Sequence, residues 1–176
     1  MLFTETRLKG AWIIGTEPKH DDRGFFSRTY CAREFAEHGL KTDIAQSSIG
    51  FNLKAGTLRG MHFQVSPATE VKLVRCTRGA IYDVIIDLRP DSPTYLQHFT
   101  TELTQDNRHA VYIPEMFAHG YQTLTDSAEV IYQMNEFFAA GFASGVRYND
   151  PAFGISWPLP VTIISERDAT WPLLKD

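Results

Sequence analysis

The octapeptide Thr57-Leu-Arg-Gly-Met-His-Phe-Gln64 sets a guanidinium that stays charged in any protein beside an imidazole that titrates near neutrality. That pairing suits an anionic substrate and a proton transfer. The flanking residues are of strand type, and in a regular strand Arg59 and His62 point to opposite faces, because side chains alternate. Gly60 between them predicts a bulge that re-aims one of the two. A plain strand with one satisfied histidine and an exposed arginine fits the octapeptide as well. Beyond it, the polar residues in strand-like stretches are Lys72, Asp83, Asp87, His119, Tyr132 and Gln133, with Asp168 in the tail. Ionisable groups in a β core are costly unless paired, so several together point to a site. Asp83 and Asp87 share a face by parity, although Asp87 precedes Leu-Arg-Pro and also fits a turn cap. His119, alone in its segment, has a structural reading as well as a functional one.

Several chemistries are disfavoured by the same residues. Metal-binding β-barrels carry His-x-His on one strand, but position 64 is Gln and position 121 is Tyr, so two isolated histidines leave a transition metal short of ligands. No Gly-x-Gly-x-x-Gly, Walker loop or Gly-x-Ser-x-Gly elbow occurs, and no Cys–His pairing stands out. Acid–base work by His, Tyr, Lys and Asp remains, without metal or cofactor. A formal charge of -4, from 17 basic and 21 acidic residues spread without long runs, gives no footprint for nucleic acid or an anionic membrane. Cys31 and Cys76 are the only cysteines; their spacing implies no disulfide framework, and Cys76 reads as core. Lacking a secretory or membrane-spanning run, the chain is expected to be cytoplasmic.

These residues need a scaffold, and 176 residues at 43% hydrophobic content suffice for one domain spanning 1–176. Short β-type runs at 11–14 and 25–26 flank the polar, turn-like Lys19–Gly24. A helix over Tyr30–His38 ends at Gly39. Compact β-type segments follow at 44–51, 57–64, 71–77, 80–88, 95–103, 109–113, 118–124 and 128–135, separated by turn signals such as Arg78-Gly79 and Arg89-Pro-Asp-Ser-Pro93. Even spacing without intervening helices predicts an all-β antiparallel jelly roll or small barrel, with one or two short helices and a mouth for a ligand. The Pro- and aromatic-rich stretch 148–160 is expected to be an ordered loop wrapped over that barrel.

Asp22-Arg-Gly-Phe-Phe26, Gly56–Gln64, Lys72–Cys76, Asp83–Asp87, Ser92-Pro-Thr94, Ile113–Gly120, Tyr132, Asn149-Asp-Pro151, Gly154–Pro158 and Ser165-Glu-Arg-Asp168 together resemble, in order, the dTDP-4-dehydrorhamnose 3,5-epimerases, metal-free cupin-fold enzymes of deoxysugar synthesis. The resemblance implies an isomerase that inverts C3, C5 or both of a nucleotide-diphospho-4-keto-6-deoxyhexose. By it, His62 is the general base paired with Asp168, Tyr132 is the general acid on the far side of the sugar, and Lys72 stabilises the enolate. Arg59, His119 and Arg23 are implied at the pyrophosphate, with Phe26, Gln46, Ser48, Phe138 and Arg167 as further substrate contacts. It also implies a homodimer in which Arg23 and Phe26 serve the neighbouring site. This chain departs from the family pattern at Arg28 and Ala143, where glutamates are usual, at Ser48 in place of asparagine, and at Phe138 in place of a base-stacking tyrosine. Those four positions belong to the nucleotide end, so they leave the base open. A C3-only or C5-only epimerase, an enzyme for another nucleotide, and a non-catalytic sugar-nucleotide-binding jelly roll are the alternatives.

Overall fold

Alternation of apolar and polar residues along the strands sorts them into two facing layers. The structure is a computed structural model that describes residues 1–174. Its elements are β1 (Leu2–Glu5), β2 (Trp12–Gly15), β3 (Lys19–Asp21), β4 (Gly24–Phe26), α1 (Ala32–Glu37), β5 (Gln46–Asn52), β6 (Leu58–Gln64), β7 (Lys72–Arg78), β8 (Ala80–Asp87), β9 (His98–Thr104), β10 (Ala110–Ile113), β11 (Phe117–Thr123), β12 (Ala128–Met134), a 3-10 turn (Ala140–Phe142), β13 (Ala143–Gly145) and α2 (Glu166–Ala169). One sheet runs β1-β2-β10-β7-β12-β5 and the other β13-β6-β11-β8-β9, with β3 and β4 forming a separate hairpin. All the strand pairings are antiparallel, as the even spacing predicts.

Parity decides what each strand offers the space between the sheets. Val74, Cys76, Ile81, Ile85, Leu103, Val111, Tyr121 and Val130 meet there in a core cluster. Cys76 is buried, as its setting implied, and burial pushes its thiol up to about 11. Odd-numbered Leu73 on β7 faces outward and packs with Ile14, Ala110, Tyr112 and Phe35 of α1. That helix has six residues, shorter than the Tyr30–His38 reading. On the second sheet's outer face, Met61, Val84, Ile86 and Ala118 pack with Phe153. The 148–160 segment is therefore an ordered wrap, as expected, and Gln122 pins it by exchanging hydrogen bonds with Leu159 at 2.8 and 3.0 Å. The jelly roll of the sequence reading is the fold found.

Three strands are additions to that reading. Lys19–Asp21 is the first strand of a hairpin rather than only turn, and β1 and β13 pair at sheet edges. Asp87 serves its turn: it accepts from the backbone and side chain of Arg89, from Ser92 and from Thr94. Burial raises this carboxyl's pKa, but those donors outweigh burial and bring it down to about 2. Its stabilising contribution is present above the ordinary carboxylate range and fades as pH falls through about 2.

Candidate active site

The bulge implied by Gly60 is present. On β11, His119 lies opposite His62 and Tyr121 opposite Arg59, so Gly60 and Met61 share a single partner, Gly120. The extra residue turns Arg59 onto the face of His62, and both line one cavity of about 580 Å³. Only glycine fits at position 60: its φ is +133°, and a Cβ there would lie 2.5 Å from the Gly120 Cα. Gly60→Ala is expected to destabilise the fold by roughly 3–5 kcal/mol, about 10 °C in thermal unfolding. A melting point within about 2 °C of the unmodified chain would show that the bulge is not rigid.

Asp168 meets the bulge from the far end of the chain. The Ser165 hydroxyl caps α2 by accepting from the Asp168 N–H at 3.1 Å. The carboxylate then takes the Gly60 N–H at 3.2 Å through one oxygen and His62 Nε2 at 2.6 Å through the other. Burial raises the pKa of Asp168, yet the His62 hydrogen bond and charge, with the Gly60 N–H, leave it below the ordinary value. An ionised carboxylate only accepts, so Nε2 must be the donor and Nδ1 of neutral His62 carries the lone pair. The ring is 43% exposed while its carboxylate partner is 6% exposed, so the imidazole reaches a ligand and the carboxylate does not.

The opposite wall belongs to the other sheet. Tyr132 projects from β12, directly across from Ser48 on β5, and Gly50 leaves room for its ring at 3.4 Å. Burial, then the neighbouring Tyr121, hold the Tyr132 phenol well above its usual pKa, so it stays protonated and able to donate. Tyr121 leads to Asn52, whose amide donates to the Tyr121 hydroxyl at 3.2 Å, and the Asn52 carbonyl accepts from Arg59 Nε at 2.7 Å. Lys72, at the start of β7, donates to the His62 carbonyl at 3.1 Å and pairs with Glu70 at 3.0 Å.

Beside His119, a buried carboxylate repeats the first arrangement: His119 Nε2 lies 2.7 Å from Asp83. His119 and Arg59 line the first chamber, with Asp83 buried behind His119. A second chamber of about 230 Å³ shares His62, Lys72, Tyr132 and Arg167 and adds Phe138, Ala143, Met134 and Gln64. Gln46 accepts from the Phe138 N–H at 2.6 Å and Gln64 from the Ala139 N–H at 2.7 Å, so two glutamines fix the loop that presents Phe138, 64% exposed. Arg167, stacked on Trp171 at 5.0 Å, lines both chambers.

The structure thus gathers His62, Asp168, Tyr132, Lys72, Arg59, His119, Arg167 and Phe138 around joined chambers, with Gln46 and Ser48 on the adjoining face of β5. It does not bring Arg23 or Phe26 there. Both sit on the β3–β4 hairpin, the Arg23 side chain 90% exposed and paired with Asp21, and Phe26 77% exposed. Arg28 pairs with Glu34 at 3.2 Å in the same region. Sequence reasoning passed over Glu70, Asn52 and Tyr121. The last two share parity with known inward positions on their strands, which was the available signal. Among the described residues, no three His, Cys, Asp or Glu side chains converge as metal ligands would.

Residues 5–176 match the family model for dTDP-4-dehydrorhamnose 3,5-epimerase. A dTDP-4-dehydrorhamnose 3,5-epimerase of Methanothermobacter thermautotrophicus is 40% identical over 99% of this chain and 95% of its own. A dTDP-4-dehydrorhamnose 3-epimerase of Streptomyces niveus is 35% identical over 96% and 82%. The crystal structure of the 3,5-epimerase from Bacillus anthracis, with TDP and PPi bound, superposes with a TM-score of 0.95 at 38% identity, covering 98% of this chain and 99% of that one.

Proposed function

Because the chain belongs to the dTDP-4-dehydrorhamnose 3,5-epimerase family, we propose that it inverts C3 and C5 of a nucleotide-diphospho-4-keto-6-deoxyhexose by acid–base chemistry through an enolate. The observation that carries this reading is the division of the cavity, with His62 and Asp168 on one wall and Tyr132 and Lys72 on the other. Nδ1 of His62 takes the proton from carbon beside the ketone, and the C–H electron pair moves into the carbonyl. The enolate oxygen that results is stabilised by the Lys72 ammonium. Tyr132 then delivers its proton to the opposite face, leaving the carbon inverted, and exchange with water returns His62 and Tyr132 to their starting states. Turned about the same groups, the sugar undergoes the same sequence at its second carbon. No metal or nicotinamide enters these steps.

Phe138 supplies a flat surface for the base, and Arg167, which lines both chambers, lies where the pyrophosphate must run from base to sugar. Arg59 and His119, which the resemblance puts at the pyrophosphate, line the first chamber and not the second, and there the Arg59 guanidinium donates to substrate oxygens. Gln46 and Ser48 border the nucleotide end. The exposed hairpin lends Arg23 and Phe26 to the site of a second copy, so the working form is a cytoplasmic homodimer.

Incubation with 4-keto-6-deoxyglucose nucleotides in heavy water, read by NMR, tests the reaction. Deuterium at both C3 and C5 is expected. Label at one carbon alone would move the chain to the narrower reading, to which the 35% identity with a 3-epimerase gives some weight. No label with any nucleotide would leave a sugar-nucleotide-binding jelly roll without catalysis.

The base is the least constrained part of this reading. Ala143 presents a methyl group in the Phe138 chamber, Ser48 has a short reach, and Arg28 is already paired, so acceptors for a polar base edge are few. Stacking on Phe138 tolerates any base. Calorimetric titration is expected to give dTDP less than about a tenfold advantage, roughly 1.4 kcal/mol, over UDP, CDP and GDP. A larger preference would mean that other residues read thymine.

A further inference from the structure

Glu70 has no part in the steps above, yet its side chain is 11% exposed and lies in the chamber wall beside Lys72, itself 12% exposed. Two carboxylate–ammonium atoms at 3.0 Å inside a cavity are costly to desolvate, and such a pair can often be replaced by apolar residues without loss of stability. Packing alone therefore gives little reason for a charged pair at this point. Its geometry gives a better one.

An ammonium has three N–H donors and no preferred direction of its own, because the four-carbon stem that carries it is flexible. On Lys72 one donor goes to the carbonyl oxygen of His62, and Glu70 Oε1 lies 3.0 Å from the ammonium as an ion pair. The N–H groups that remain have the cavity shared with His62 and Tyr132 as the space open to them. Glu70 is itself held: its other oxygen is 3.4 Å from Gln64 Nε2, and Gln64 is bound in turn to the Ala68 and Phe137 carbonyls and the Ala139 N–H. The two N–H groups of Gln64 go chiefly to those carbonyls, so backbone fixes Gln64, Glu70 packs against it, and the ammonium is held to Glu70 by charge.

We infer that Glu70 is a positioning residue whose charge holds Lys72 beside the His62 backbone, so that a free N–H of the ammonium faces the keto oxygen of the substrate. The inference rests on the epimerase reading and deepens it. Two effects of the carboxylate oppose each other. Its negative charge weakens the field of Lys72 at the developing enolate, while the same charge, 3.0 Å away, removes the freedom of the ammonium to swing away. Positioning dominates, because a displacement of about 1 Å at a reacting centre can cost about 10²-fold in rate. A neutral amide at position 70 keeps the size of the side chain but lacks the charge that holds the ammonium.

The test is a double-mutant cycle on the full chain with a nucleotide 4-keto sugar that it turns over, comparing Glu70→Gln, Lys72→Met and the pair together. Glu70→Gln is expected to lower kcat by about 10- to 100-fold with KM changed less than about threefold. Lys72→Met is expected to lower kcat by about 10²–10³, and adding Glu70→Gln to it should change kcat less than about twofold, since nothing is left to position. Glu70→Asp should recover part of the loss. If Glu70→Gln does not fold, Glu70→Asp with and without Lys72→Met makes the same comparison. A wild-type kcat in Glu70→Gln, or the same loss with Lys72 absent, overturns the role of Glu70. Deuterium exchange by the unmodified chain separates the two readings: no exchange at C3 or C5 removes epimerase and positioning role together, whereas exchange with Glu70→Gln unaffected removes the role alone.

Discussion

His62→Ala is expected to lower kcat by about 10²–10⁴, the range for removing a general base, while substrate binding changes little. The loss falls on kcat because the imidazole acts on a carbon-bound proton, whereas affinity comes from the nucleotide and pyrophosphate contacts elsewhere in the cavity. Asp168→Asn should follow the same direction, because an amide can present its NH₂ to Nε2 and stabilise the tautomer whose proton sits on the wrong nitrogen. Steady-state kinetics on the purified variants checks both, and near-normal turnover in His62→Ala would take His62 out of the mechanism. The Asp168 carboxyl lies below its ordinary value, so the pair is assembled throughout the neutral range and is lost only as pH falls through that depressed pKa.

Tyr132→Phe is expected to abolish inversion by about 10²–10⁴ yet leave exchange of the substrate proton with solvent measurable. The distinction follows from the two walls: the His62 side can still remove and return a proton on its own face, but the other face has lost its donor. Burial holds the Tyr132 phenol well above its usual value, so no fall in kcat from its ionisation should be seen up to about pH 9. Heavy-water NMR of the variant reads both quantities at once. Simultaneous loss of exchange and inversion would mean that base and acid are not divided as proposed.

The strands from β6 to β12 were legible because each turns apolar residues toward a core, and β5 because Ile49 and Phe51 are of strand type although they are exposed. β13 was not, since Ala143-Ser-Gly145 has no such residue and becomes a strand through pairing with β6. Polar β3 was hidden for the same reason, being an exposed hairpin arm rather than a core strand. Four-residue α2 has too few turns to show a period. In the site, the Gly60 bulge could be read locally, because glycine between two polar side chains in a strand has a definite meaning. Glu70 could not, as its role depends on Lys72 and Gln64 converging on it from two strands.

One bond described above joins residues 62 and 168, which are 106 positions apart in the chain. Around it, Leu58 N–H donates to the Ile163 carbonyl and Arg147 to that of Trp171, so the closing segment is sewn onto a sheet whose strands all precede it. A chain ending before residue 163 would still hold the residues of every strand, yet it would lose Ser165, Arg167 and Asp168 from the cavity wall, and with them both the partner that orients the histidine and the cation shared by the two chambers.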